Sequence, residues 1–151
     1  MNDKLTKNLF INLTDPVVFQ SFGGEEYWEK LDVPAGQVIL DEGEGTEDFY
    51  YIFAGLASVD KKMAGGGLQR HLANMEQGDF FGEGALLSDK ERAATVTASS
   101  DCVLLKLSLA NFKRLVKDDP DAAVALLLGI VKVLNARLQV TTEQLAELGG
   151  E

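Results

Sequence analysis

One cysteine, one histidine and one tryptophan in 151 residues set the first limits on this chain. A lone Cys102 cannot close an intramolecular disulfide, and it gives no argument for an oxidising compartment. With His71 as the only histidine, a metalloenzyme site built from several imidazole and carboxylate ligands is poorly supplied. A Ser-His-Asp or Cys-His nucleophilic centre would have to converge on that same residue. On a predicted strand, His71 reads as a surface or internally satisfied side chain. Catalysis is not expected.

Positive charge is scarce as well. Lys and Arg total 14 against 24 Asp and Glu, a net charge of −10. Affinity for nucleic acid rests on neutralising phosphates with cations, so no nucleic-acid partner is expected for this chain. The same field raises the barrier to any anionic ligand, which local donors must overcome. Long apolar runs are missing too: Ala122–Val133 is interrupted by Gly129 and Lys132, and no stretch is expected to span a bilayer. Met1-Asn2-Asp3-Lys4 lacks the apolar core of a secretory signal. The expectation is a cytoplasmic protein without membrane contact. Hydrophobic content of 46% with 25% charged residues suits one globular domain.

The pattern along the chain divides it into three stretches. Residues 1–31 contain helical pieces, with Asp15-Pro16 as a start and Gly23-Gly24 as a break. Residues 32–107 carry short strand candidates at Val38–Leu40, Phe49–Phe53, Ala57–Val59, Leu68–Met75, Ala93–Ala98 and Cys102–Leu107, punctuated by glycines. Many short strands at near-regular spacing predict an antiparallel β-roll or jelly roll, mainly β with flanking helices. Residues 108–148 switch to helical period. Ser108 is an N-cap candidate for a helix through about Lys117, and Asp119-Pro120 opens a longer one. In it Val124, Leu127, Val131, Leu134, Leu138, Thr141, Leu145 and Leu148 alternate spacings of three and four, the seam of a two-stranded coiled coil. A helix packing along its own roll needs a similar stripe. Both uses are open, the first half lying on the roll and the second against a twin.

The densest chemistry lies in residues 81–96. Phe81-Gly82-Glu83-Gly84-Ala85-Leu86-Leu87 is followed by Arg92-Ala93-Ala94-Thr95-Val96. Gly82 permits a turn that a Cβ would obstruct. The apolar stretch behind it can open a helical turn whose first N–H groups point at an anion. Arg92 supplies a planar, permanently charged fork for two phosphate oxygens. Glu83 is an acceptor, wrong for phosphate and right for a ribose hydroxyl. Together these groups suit a sugar carrying a singly charged phosphodiester. Taken singly, each also has a plain reading as a helix start or a solvated arginine.

This segment resembles the phosphate-binding cassette of the cyclic-nucleotide-binding domains, which reads F-G-E-apolar-A-L-apolar, a spacer, then R-A-A-T-V or R-T-A-T-V. The resemblance implies that Glu83 takes the ribose 2′-hydroxyl and Arg92 the exocyclic phosphate oxygens. The backbone N–H groups of Ala85 and Ala93 would be further phosphate donors. Gly84 departs from the pattern, standing where the family usually has Leu or Ile, and loosens the loop. Ala93 stands where cyclic-GMP-selective kinases tend to place Thr, which favours cyclic AMP and leaves cyclic GMP as the lesser candidate. Leu72 and Met75, on the strand before the cassette, are expected to cover the purine plane, with ordinary core as their plainer use. Hydrolysis of such a ligand would need a metal or strong base beside Arg92, and none is evident.

The segment Arg137-Leu138-Gln139-Val140-Thr141-Thr142-Glu143 is similar to R-L-Q-V-T-S-E in the long helix of the catabolite activator branch of that family. It implies that Thr141 and Thr142 meet the adenine edge, where a hydroxyl can donate or accept. Their plainer use is as tolerated polar positions in a helix pair. The resemblance, which extends to the cyclic-AMP domains of protein kinase regulatory subunits, implies a regulatory domain whose C-terminal helix moves on binding. It also implies a homodimer through that helix and an output to a separate effector protein, with no effector in this chain. The alternatives are a docking or dimerisation module that no longer binds nucleotide, or the ligand-binding part of a transcription factor without its DNA-binding domain.

Overall fold

The computed structural model describes residues 11–43, 47–64, 67–87 and 94–149. In chain order these form helix α1 (Pro16–Ser21), a 3-10 turn (Gly24–Glu26), β1 (Glu29–Val33), β2 (Val38–Leu40), β3 (Asp48–Ala54), β4 (Ala57–Lys62), β5 (Gln69–Met75) and β6 (Phe80–Phe81). A second 3-10 turn (Glu83–Leu87) follows, then β7 (Thr95–Ala98), β8 (Cys102–Ser108), α2 (Leu109–Asp118) and α3 (Pro120–Gly149). The strands pair antiparallel in two four-stranded sheets, ordered β1-β8-β3-β6 and β2-β7-β4-β5. This is the expected β-roll with flanking helices.

Strand β3 organises both cores. Tyr50 and Ile52 face the inside of the roll with Leu40, Phe81, Val96 and Leu104. Phe49 and Tyr51 face the other way, into a second core with Trp28, Phe80, Leu105, Leu107 and the helices. A strand buried on both faces reads as a continuous apolar run, Phe-Tyr-Tyr-Ile-Phe, rather than an alternation. Burying these large side chains supplies about 1.5–3 kcal/mol each.

The helix boundaries follow local chemistry. Asp15 caps α1, its Oδ1 accepting from Val17 N at 2.9 Å, and Pro16 occupies the first turn, where a missing N–H costs nothing. Ser108 Oγ accepts from Asn111 N at 3.1 Å and opens α2. Asp119 both closes α2, its N–H donating to Leu115 O, and caps α3 by accepting from Ala122 N at 3.2 Å. The N-terminal segment grips this joint: Tyr27 Oη donates to Asp118 Oδ2 at 2.7 Å, and the Arg114 guanidinium lies 4.8 Å from the Tyr27 ring centre. One boundary moves. The first strand begins at Glu29, inside the stretch expected to be helical, paired with β8 from Glu29↔Lys106 to Val33↔Cys102.

Helix α3 carries two apolar stripes where the sequence suggested one. Ala122, Ala123, Leu126, Ile130 and Val133 are buried, and all but Val133 belong to the helix-side core. The seam residues Val124, Leu127, Val131, Leu134, Leu138, Leu145 and Leu148 are a different set and are exposed. The stripe on the roll and the seam are therefore separate faces, and both run through the first half of the helix. Two stripes also make Pro120–Leu148 long and apolar enough to cross a bilayer by length and composition, contrary to what run length alone suggests. Only 28% of its most apolar window is buried, so most of that surface faces outward. At Gly129 the helix passes close to Ile11, whose Cδ1 a Cβ there would meet.

Candidate nucleotide site

The turn Gly78-Asp79 is clamped to β3 by Gly78 N donating to Ile52 O and Ile52 N donating to Asp79 O, each at 2.9 Å. Phe80 then stacks on Phe49 and Phe81 on Tyr50, both with ring centres 5.1 Å apart. Two anchored aromatics, one in each core, fix the direction in which the chain leaves the sheet. Gly82 takes φ +78°, the left-handed region that disfavours a side chain. The 3-10 turn Glu83–Leu87 starts immediately after it.

Ala85, within this turn, is buried, and its N–H donates to Gly82 O at 3.1 Å. A phosphate reaching for that amide would have to share it with the carbonyl. Leu86 packs against the helix-side core, and Glu83 and Gly84 are half-buried at the start of the turn. Arg92 and Ala93 lie outside the described residues. The chain is described again from Ala94, and at Thr95 the hydroxyl accepts from Glu42 N at 3.1 Å, fixing the start of β7.

The two residues expected to cover the purine differ. Met75 packs against the core inside the roll, opposite Ala57 in register. Leu72 is 50% exposed and belongs to neither core. It also sits where the β4–β5 register slips: Val59 faces Ala73 and Asp60 faces His71, which leaves Leu72 without a cross-strand partner.

Thr141 and Thr142 are exposed on α3, and their hydroxyls donate to Arg137 O at 3.0 Å and Leu138 O at 2.8 Å. The partner that a polar residue in the seam requires is thus the preceding turn of its own helix. Among the described residues no hydrogen bond joins either threonine to the cassette. The same helix reaches the strand just before the cassette through Arg137, whose Nη2 donates to Phe80 O at 2.9 Å. Thr141 stands one turn further along, about 6 Å at the helical rise. Sequence reasoning assigned Arg137 no role, because its partner is a backbone carbonyl and leaves no mark in the sequence. An open cavity of about 420 Å³ elsewhere on α3 is lined by Asn135, Leu138, Gln139, Thr142 and Glu143. Among the described residues no three His, Cys, Asp or Glu side chains are grouped to hold a metal.

Residues 30–119 match the cyclic nucleotide-binding domain. This chain belongs to that family. The cyclic nucleotide-binding domain is 40% identical over 87 residues to a cAMP-dependent protein kinase regulatory subunit of Aspergillus fumigatus, covering 58% of this chain and 20% of the relative. It is 33% identical over 116 residues to the cAMP-activated global transcriptional regulator CRP of Salmonella typhimurium, covering 76% and 53%. The catabolite activator protein of Thermus thermophilus superposes with a TM-score of 0.72 at 27% identity, over 95% of this chain and 63% of that one. The domain thus spans about a fifth of the kinase subunit and about half of the bacterial regulator. The family is one of regulatory cyclic nucleotide-binding domains.

Proposed function

We propose that this domain is a cyclic AMP sensor. In it Glu83 takes the ribose 2′-hydroxyl, Arg92 and the amides of Ala85 and Ala93 take the phosphate, and Leu72 and Met75 cover the base. Thr141 and Thr142 meet its edge as α3 closes. The observation that carries this reading is the left-handed Gly82 opening the 3-10 turn that contains the buried Ala85. In this reading the turn offers its amides to the cyclic phosphate and the Glu83 carboxylate to the ribose. The names of the kinase and bacterial relatives support cyclic AMP, as does Ala93 after the arginine.

Signalling follows from differential contact. Ligand phosphate orders the cassette, Arg137 carries the displacement of the Phe80 strand to α3, and the exposed seam of α3 receives a second copy of the chain. The output passes to a partner protein in the same compartment, taken here as the cytoplasm. A second reading, the sensing half of a transcription regulator, is favoured by the longer match to the bacterial regulator, 116 residues against 87.

Thermal-shift titration with cyclic AMP, cyclic GMP and AMP tests the proposal. Cyclic AMP at a hundredfold excess over its Kd should add about 2.7 kcal/mol, enough to raise Tm by several degrees. The gain should vanish in Arg92→Ala. A flat response to every cyclic nucleotide overturns the sensor reading in favour of a docking module.

A further inference from the structure

The proposed binding role leaves one polar cluster on the β4–β5 hairpin unused. Ala57 is fully buried and Val59 packs against the core inside the roll, so strand alternation turns Ser58 and Asp60 to the outer face. His71 stands opposite Asp60 in register. The Asp60 carboxylate accepts from Ser58 Oγ through Oδ2 at 3.1 Å and lies 3.1 Å from His71 Nδ1 through Oδ1. Ser58 Oγ and His71 Nδ1 are 3.0 Å apart, closing a triangle. With its proton on Nδ1 the ring donates to the carboxylate.

Ion pairs this close to solvent add little to stability, with the His71 side chain 51% exposed and that of Asp60 20% exposed. Their effect lies in register. Met75 anchors one end of β5, but Gln69–Asn74 are all exposed, so beyond Met75 burial does not specify how this strand pairs. The triangle supplies that specification beside the slip that leaves Leu72 unpaired. An unpaired residue at a slip bends the strand and re-aims its own side chain.

We propose that Ser58, Asp60 and His71 are positioning residues for the base-facing wall. They pin the slip from the outer face, fix the direction of Leu72, and so set how the domain grades one base against another. The inference rests on the cyclic nucleotide reading above. It extends that reading to the residues that hold the wall in place.

The test is calorimetric titration of the full chain with cyclic AMP, cyclic GMP and cyclic CMP. His71→Leu and Leu72→Ala should each narrow the spread of affinities among the three ligands by about five- to tenfold, the share of one half-buried leucine contact. His71→Asn, which restores an N–H near Nδ1, should keep the spread of the wild type. A wild-type spread retained in His71→Leu overturns the positioning role. Failure of the wild type to bind any of the three overturns instead the nucleotide reading beneath it. Ser58→Ala serves if His71→Leu does not fold. In the ligand-free chain, Leu72 methyl resonances should shift in that variant, and unchanged resonances overturn the proposal without any ligand present.

Discussion

The Arg137 guanidinium reaches across 2.9 Å to the main-chain carbonyl of Phe80, tying the long helix to the strand that runs into Gly82. A charged donor on a backbone acceptor is stronger than a neutral bond and, unlike an ion pair, survives changes in the partner's side chain. Arg137→Ala should cost about 1–2 kcal/mol in urea unfolding. It should also speed amide exchange in α3 beyond residue 137 more than in α2. Equal exchange in the two helices would remove Arg137 as the tie.

Gly82→Ala forces a Cβ onto a backbone at φ +78°. The expected cost is about 1–2 kcal/mol, read as a lower urea midpoint at unchanged slope. Cyclic nucleotide affinity should fall with it if the following turn presents its amides as proposed. A variant of wild-type stability would mean that the turn relaxes to accept the side chain.

The two faces of α3 make opposite demands. Leu126 is fully buried, and Leu126→Ala should cost about 2–5 kcal/mol. Leu138 is 63% exposed on the seam. Leu138→Glu should leave the stability of the monomer within about 0.5 kcal/mol of the parent while abolishing self-association in sedimentation. A folded Leu138→Glu variant that still pairs would place the dimer contact elsewhere.

Alkaline pH should weaken the domain through two buried groups. Burial pushes the Tyr51 phenol up from its ordinary 10.0 and the Cys102 thiol up from its ordinary 9.0. Both are held neutral when folded, so the unfolded chain releases its protons first. Their stabilising contribution is complete below the unfolded values. It is lost as pH rises from about 9 through the raised folded values. Tyr51→Phe should flatten the upper part of that decline, at the cost of the acceptor that Tyr51 Oη offers to Leu13 N at 3.2 Å. A decline unchanged in Tyr51→Phe would assign it to other groups.

What the sequence disclosed is chemistry that acts locally. Ser108 and Asp119-Pro120 announce helix starts because capping involves residues two or three apart. Val38–Leu40 and Phe49–Phe53 stand out by composition. Strand β1 was hidden because its exposed Glu29 and Lys30 carry no apolar signal, and its pairing, with Glu29 Oε2 3.1 Å from Lys106 Nζ, spans the length of the roll. Strand β6 has two residues, too few for any periodicity. The seam of α3 was legible, but the stripe beside it was not, since small Ala122 and Ala123 serve a close approach that only the folded chain reveals. In the candidate site, the turn at Gly82 was readable because the glycine and the segment it opens are contiguous. The roles of Arg137 and of the Ser58–Asp60–His71 triangle depend on partners that folding alone brings near.

The single tryptophan gains a use from its place on β3's outer side. Trp28 is buried with its ring centre 6.1 Å from Phe49, its Nε1 donating to Phe22 O. A molecule held inside the roll is screened from that indole by a whole sheet. Any change in its emission on titration is therefore indirect, reporting rearrangement of the helix layer rather than contact with the ligand. The indole thus tests the proposed transmission from the side of the sheet where a signal would have to arrive.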